Sequence, residues 1–182
     1  MKKKVLIINV CKEKLSYFEF VKPIENIVKK SGLRCKVKNY LELKEKDLKE
    51  VDKIIICGTA LKDFDYLNHI KKFEWIKEIN KPIFGICAGM QIISKIFALP
   101  LVKKTLIGKY KVKVIKKKKL INKNFYAYFL NSMAIKTNKN FDILAKINRV
   151  PCLIKHKNKE IYACLFHPEV YNDEIILNFL NQ

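Results

Sequence analysis

Over its first hundred residues the chain alternates short apolar runs with segments of helical periodicity, and this alternation restricts the fold more than any other feature. Residues 5–10 and 53–57 are near-continuous apolar runs, and 82–86 is another. A strand that is apolar on both faces cannot lie against water, so it needs cover on each side, which the crossover helices of a parallel sheet supply. Residues 33–40 read as a further strand. Residues 15–31 place Phe18, Val21, Ile24 and Val28 at helical spacing and stop at Gly32, with Pro23 either kinking this helix or marking its true start. A short helix is predicted over 43–50, a longer one over 65–79 with Leu67, Ile70 and Ile76 inward, and another over 88–98. In such sheets ligands bind beyond the carboxyl ends of the strands, which here are Gly58 and Cys87.

From Leu101 the pattern changes. Residues 109–116 alternate polar and apolar, and strand-like runs follow at 124–130, 134–137, 143–147, 152–154 and 160–166. These read as hairpins added to the sheet edge, carrying His167 back towards Cys87, before a closing helix over 173–180 with Ile176, Leu177 and Leu180 apolar. The expected fold class is therefore α/β: a flavodoxin-like, open, mostly parallel sheet flanked by helices, with antiparallel hairpins in the C-terminal half. No repeat or linker divides the chain, so 1–182 is expected to form a single domain.

Composition excludes several classes. At 49% hydrophobic the chain is globular in type, and no run approaches the roughly 20 apolar residues of a membrane span. Met1-Lys2-Lys3-Lys4 ahead of the apolar run 5–10 is only superficially like a signal peptide: the run is short, lacks a small-residue cleavage site and is followed by Lys12. A first strand and a cytoplasmic location are expected. The net charge of +21 invites a nucleic-acid reading, but Arg34 and Arg149 are the only arginines, and arginine is the residue suited to bidentate reading of bases and phosphates. Nucleic acid is not the expected partner. Lys116-Lys117-Lys118-Lys119 reads as a solvated hairpin tip, with an acidic partner surface as the alternative. Cysteines 11, 35, 57, 87, 152 and 164 show no C-x-x-C pairing and no metal-type spacing with the histidines, so neither a metal nor a cofactor is expected, and Cys57 and Cys164 read as core thiols.

Gly85-Ile86-Cys87-Ala88-Gly89-Met90-Gln91 lies between the strand at 82–86 and a helix. A Gly-x-Cys-x-Gly turn at such a junction is the thiol form of the nucleophile elbow, in which small flanking residues let a tight turn present one strained side chain. The competing reading is a buried thiol acting as a small hydrophobe. Phe166-His167-Pro168-Glu169 favours the first. A thiol nucleophile needs a base and the base an orienting group. His167 and Glu169, two apart, would face the same side if Pro168 keeps the segment extended.

With these two motifs the chain resembles the class I, or triad-type, glutamine amidotransferases, over essentially its whole length. Gly85 to Gln91 and Phe166-His167-Pro168-Glu169-Val170 carry the resemblance, as does the order of cysteine and then His-x-Glu 80 positions on. It implies that Cys87 attacks the side-chain amide of L-glutamine, that His167 moves the proton and that Glu169 orients His167. It further implies an oxyanion donor at the Ala88 N–H, substrate contact by Gln91, and a separate synthetase subunit to receive ammonia. The tail Asn178-Phe179-Leu180 together with 166–170 is most similar to amidotransferase subunits serving GMP synthetase, in purine biosynthesis. Imidazole glycerol phosphate synthase and anthranilate synthase also have subunits with such motifs.

Two segments depart from the family pattern. The loop after the third strand reads Gly58-Thr59-Ala60-Leu61 where members carry a Gly-Gly-Pro-like loop supplying the second oxyanion donor. Losing one such donor costs on the order of 100- to 1,000-fold in rate. At Phe129-Leu130-Asn131-Ser132-Met133 many members show a His-Ser or Ser-His pair, so that Asn131 and Ser132 are the candidate substrate contacts here. Alternatives are a stand-alone cysteine hydrolase of γ-glutamyl compounds, or a non-catalytic relative that binds a partner or regulatory ligand.

Overall fold

The structure, a computed structural model, describes residues 3–182, so the start of the N-terminal lysine segment, Met1 and Lys2, lies outside the described residues. Among those residues, nine strands form one sheet: β1 (Lys4–Asn9), β2 (Arg34–Asn39), β3 (Lys53–Ile56), β4 (Ile83–Ile86), β5 (Leu101–Val114), β6 (Phe125–Ile135), β7 (Phe141–Ile147), β8 (Val150–His156) and β9 (Ile161–Cys164). Their spatial order is β2-β1-β3-β4-β9-β8-β7-β5-β6. The joins from β2 through β9 are parallel, and those from β9 through β6 are antiparallel. The α/β class holds, but "mostly parallel" describes only one side of the sheet. Ile86 pairs with Cys164, so the ends of β4 and β9 lie side by side although they are far apart in sequence.

The helices are α1 (Ser16–Phe20), α2 (Lys22–Lys30), α3 (Glu45–Lys49), α4 (Asp65–Asn68), α5 (Trp75–Glu78), α6 (Ala88–Ile96), α7 (Pro168–Tyr171) and α8 (Asp173–Leu180). One group gathers α2, α7 and α8, and another gathers α5 and α6 with the 3-10 turn Ile70–Phe73. Leu6, Ile7, Ile8, Ile54, Ile55, Ile56, Ile83, Phe84 and Ile86 are fully buried between them, as strands covered on both faces require. β2, the edge strand, carries Arg34, Lys36 and Lys38, charges that discourage further strand pairing.

Three expectations are corrected. The helix expected over 15–31 is two, broken at Val21 (φ −111°), so Phe18 lies out of phase and is 65% exposed while Phe20 is buried. The one expected over 65–79 is α4, a 3-10 turn and α5, and it buries Tyr66, Phe73 and Ile76 while Leu67 and Ile70 are only partly covered. The runs 124–130 and 134–137 are one strand, β6, and 109–116 belongs largely to a longer β5 whose register shifts between Lys103 and Leu106. That bulge breaks the two-residue alternation that periodicity reads. The lysine run 116–119 is exposed in the connection between β5 and β6, as expected of a solvated hairpin tip, while Leu120 and Ile121 beside it are buried and Asn178 Nδ2 of α8 donates to the Leu120 carbonyl at 3.1 Å.

Candidate active site

Cys87 closes β4 and opens α6 with φ 50° and ψ −97°. A non-glycine residue takes such a positive φ only where its surroundings impose it. Here its N–H donates to the Cys164 carbonyl at 2.8 Å, and its own carbonyl accepts from the N–H of Met90 at 3.0 Å and of Gln91 at 3.2 Å. The flanking glycines are demanded by packing. A Cβ on Gly85 would stand 2.6 Å from Ile93 Cδ1 and 2.7 Å from the Gly89 carbonyl; one on Gly89 would strike the Ile56 carbonyl oxygen of β3. The Gly-x-Cys-x-Gly spacing is therefore the condition for α6 to lie this close to β3 and β4. The thiol is 4% exposed and donates to the Leu130 carbonyl of β6 at 3.6 Å.

His167 follows β9, and its N–H donates to the Tyr128 carbonyl of β6 at 2.8 Å. β6 thus holds both the thiol and the imidazole segment. His167 is extended (φ −103°, ψ 92°), as a residue before proline must be, but Pro168 then begins α7 and Glu169 lies in its first turn. The expected extended His-Pro-Glu segment is corrected to a cap followed by one helical turn. His167 Nδ1 and Glu169 Oε1 are nonetheless 2.7 Å apart, with both side chains buried. The second ring nitrogen, Nε2, is buried with no hydrogen-bond partner among the described residues. Burial alone pushes the imidazole down; the Glu169 carboxylate and the Cys87 thiol outweigh it and hold His167 well above the ordinary histidine value. Phe20 of α1 closes the ring's surroundings at 5.4 Å between centroids.

Gly58 lies against both groups: a Cβ there would be 2.6 Å from His167 Cε1 and 3.3 Å from Cys87 Cβ. Thr59, buried, donates its hydroxyl to Asp63 Oδ2 at 2.6 Å, and the same carboxylate accepts from the Lys12 N–H at 2.8 Å and, through Oδ1, from the Asp65 N–H at 3.2 Å. Asp63 therefore ties the loop after β3 to the loop after β1 and to α4. Ala88 is the first residue of α6, where the helix itself has no acceptor for the N–H.

Gln91, one turn beyond Cys87, accepts from the Tyr66 hydroxyl at 2.6 Å. Asn131 Nδ2 donates to the carbonyls of Lys104, at 3.1 Å, and Met133, at 3.0 Å, pinning the β5 bulge, while its Oδ1 is buried without a donor among the described residues. Gln91, Asn131, Ser132, Thr59, Ala88 and Cys87 all line one cavity of about 10 Å³. That is about the room one water needs, and an amino acid does not fit without movement. The wall made by Ala60, Asp63 and Phe64 separates it from an outer cleft of about 500 Å³ that also borders Lys12, Lys62 and Asn68. The sequence reading missed Tyr66, Asp63 and the β6 carbonyls, because nothing in their local spacing announces a partner some 25 residues away or more.

Burial pushes the other thiols up: Cys11 to about 11, and Cys57 and Cys164, both fully buried, well above the usual range. Among the described residues no cluster of His, Cys, Asp and Glu could hold a metal ion, and no helix is long and apolar enough to cross a membrane.

The family profile of Glutamine amidotransferase class-I matches residues 16–181. The chain is 28% identical over 158 residues to the A component of the glutamine-hydrolyzing GMP synthase of Thermoplasma acidophilum, covering 76% of each chain. It is 29% identical over 154 residues to the same component from Thermoplasma volcanium, covering 76% of this chain and 75% of that one. Among solved structures, a Thermoplasma acidophilum protein assigned as this GMP synthase component superposes with a TM-score of 0.88 at 22% identity, over 100% of this chain and 94% of that one. A glutamine amidotransferase of Thermotoga maritima gives a TM-score of 0.74 at 16% identity, over 93% and 77%. These two structural likenesses speak for the fold.

Proposed function

The chain belongs to the class-I glutamine amidotransferases, and from that membership we propose that it hydrolyses glutamine to glutamate and ammonia at Cys87 as a single glutaminase domain. The ammonia passes to a separate synthetase subunit of the GMP synthetase type, which the likeness to the Thermoplasma GMP synthase components supports. The observation that carries the reading is a thiol on a strained strand-to-helix turn beside an imidazole whose Nδ1 is held by a carboxylate at 2.7 Å and whose Nε2 is unpartnered among the described residues.

In this reading His167 Nε2 takes the thiol proton and Cys87 Sγ adds to the amide carbon of glutamine. The amide oxygen becomes an oxyanion, stabilised by the Ala88 N–H and the Gly58-Thr59 loop. His167 returns the proton to the amide nitrogen, the C–N bond breaks, and ammonia leaves a γ-glutamyl thioester on Cys87. Water then gives a proton to His167 and adds to the thioester carbonyl. Collapse expels the Cys87 sulfur, which recovers the proton, and frees glutamate. Gln91, Asn131 and Ser132 hold the amino-acid portion, and no cofactor takes part.

The test is glutamate release from glutamine by the wild type and by Cys87→Ala, each alone and with the cognate synthetase subunit. Cys87-dependent release that rises with the synthetase supports the partnered reading, whereas full release without it points to a stand-alone hydrolase. The small cavity over the thiol favours one rival, a non-catalytic relative. No Cys87-dependent release under either condition, with no labelling by a glutamine-like diazoketone, would establish that rival.

A further inference from the structure

We propose that Tyr66 is a positioning residue: its hydroxyl holds the Gln91 side chain so that the Gln91 amide N–H2 group serves the substrate in the Cys87 pocket. This rests on glutamine being that substrate. Tyr66 belongs to the single-turn helix α4, is 1% exposed, and donates to Gln91 Oε1 at 2.6 Å. Both side chains line the cavity that holds Cys87. Burial pushes the phenol well above its usual value, so the hydroxyl keeps its proton and acts as the donor.

A glutamine side chain has three rotatable bonds, and ordering it on binding costs conformational entropy. Tyr66 removes that freedom before the ligand arrives, which is preorganisation. It also sets polarity. With Oε1 occupied by the phenol, the group Gln91 has left for a ligand is its amide nitrogen, which is a donor only. The complementary atom on the substrate is therefore an oxygen, either a carboxylate or a carbonyl. Asn131 has the opposite polarity, since its Nδ2 is used by two carbonyls and its buried Oδ1 lacks a donor among the described residues. The pocket thus offers one donor and one acceptor from two side-chain amides.

Tyr66→Phe keeps the buried ring and deletes only the hydroxyl, while Gln91→Glu keeps an acceptor for Tyr66 but has no N–H to offer. Each would be compared with the wild type for KM and kcat with glutamine, and for the half-saturating concentration of a glutamine-like diazoketone that alkylates Cys87. Iodoacetamide, which lacks the amino-acid portion, serves as the control, and melting temperature reports folding. Tyr66→Phe is expected to raise KM and the diazoketone half-saturation about five- to tenfold, the scale of one lost hydrogen bond. Its kcat should stay within about threefold and its iodoacetamide rate should not change. Gln91→Glu should bind still more weakly while remaining folded. Unchanged half-saturation in Tyr66→Phe, or Gln91→Glu binding as well as the wild type, overturns the proposal. If Tyr66→Phe does not fold, the Gln91→Glu arm decides alone. Labelling of the wild type by iodoacetamide but not by the diazoketone sinks the glutamine reading, a failure visible before either variant is made.

Discussion

His167 Nδ1 stands 2.7 Å from Glu169 Oε1, a pair two residues apart that meets because Pro168 ends one conformation and starts another. Proline keeps the residue before it out of the helical region and is itself suited to the first helical position. The carboxylate in the first turn of α7 is thereby turned back onto the ring of the residue just before the helix.

Replacing Glu169 by Gln leaves the shape and removes the charge. His167 then keeps the influence of Cys87 but loses that of the carboxylate against burial, so its pKa should fall. In the wild type the folded-state value is raised, so this contribution to stability is complete below the ordinary histidine value of 6.5 and is lost as pH rises through the folded value. Glu169→Gln should weaken that alkaline loss, and histidine NMR titration should show the downward shift. Glutamine hydrolysis should fall by roughly 100-fold or more, the scale of general acid–base catalysis.

Gly58→Ala tests the closeness of the site. The added methyl would lie 2.6 Å from His167 Cε1, with Phe20 on the ring and Glu169 on Nδ1 limiting its retreat. Overpacking of this kind costs about 1–3 kcal/mol, or roughly 2–12 °C in melting temperature for a chain of this size. Activity should drop far more than stability does, by about 100-fold for a displaced reacting group. Equal kcat in the variant would show that His167 is free to move aside.

The loop after β3 gains from Thr59 what it lacks in glycine. Thr59→Val and Asp63→Ala each cut the 2.6 Å hydrogen bond to the Asp63 carboxylate. Each should cost about 1–3 kcal/mol in stability where the remaining polar group stays buried, with kcat reduced as the loop beside Cys87 loosens. Thr59→Gly restores a second glycine but removes the same anchor. A higher kcat in Thr59→Gly, measured beside the wild type, would show that the anchor hinders catalysis.

Glu25 contributes to acid stability from outside the cavity that holds Cys87. Glu25 accepts from Tyr17 at 2.8 Å and Lys22 at 2.9 Å and pairs with Lys29, joining α1 to α2 across the break at Val21. The hydrogen bonds from Lys29 and Lys22 hold its carboxyl down at about 2. A depressed acid stabilises above its unfolded value and stops doing so as pH falls through the folded one. Thermal melts from pH 5 to pH 2 should therefore be flatter for Glu25→Gln than for the wild type, with glutamine hydrolysis at neutral pH unchanged.

Much of this was legible in the residues. The apolar runs became β1, β3 and β4, and Gly85, Cys87 and Gly89 mark a turn whose glycines are each blocked from carrying a side chain. His167, Pro168 and Glu169 announced a local pair. Such features act over a few residues, through backbone sterics and side-chain period, and a sequence displays them directly. Other features depend on contacts between distant segments. β4 and β9 had to become neighbours before Cys87 and His167 could meet, and the bulged β5–β6 pair had to curl over before Tyr128 and Leu130 could hold them. Tyr66 found Gln91, and Asp63 found Lys12, through the same long-range packing. Local residue preferences were enough to specify the first strands, the turn and the order of the cysteine and His-Pro-Glu motifs. Strand order and loop packing, which no local preference encodes, settled which groups touch and how little room lies over the thiol.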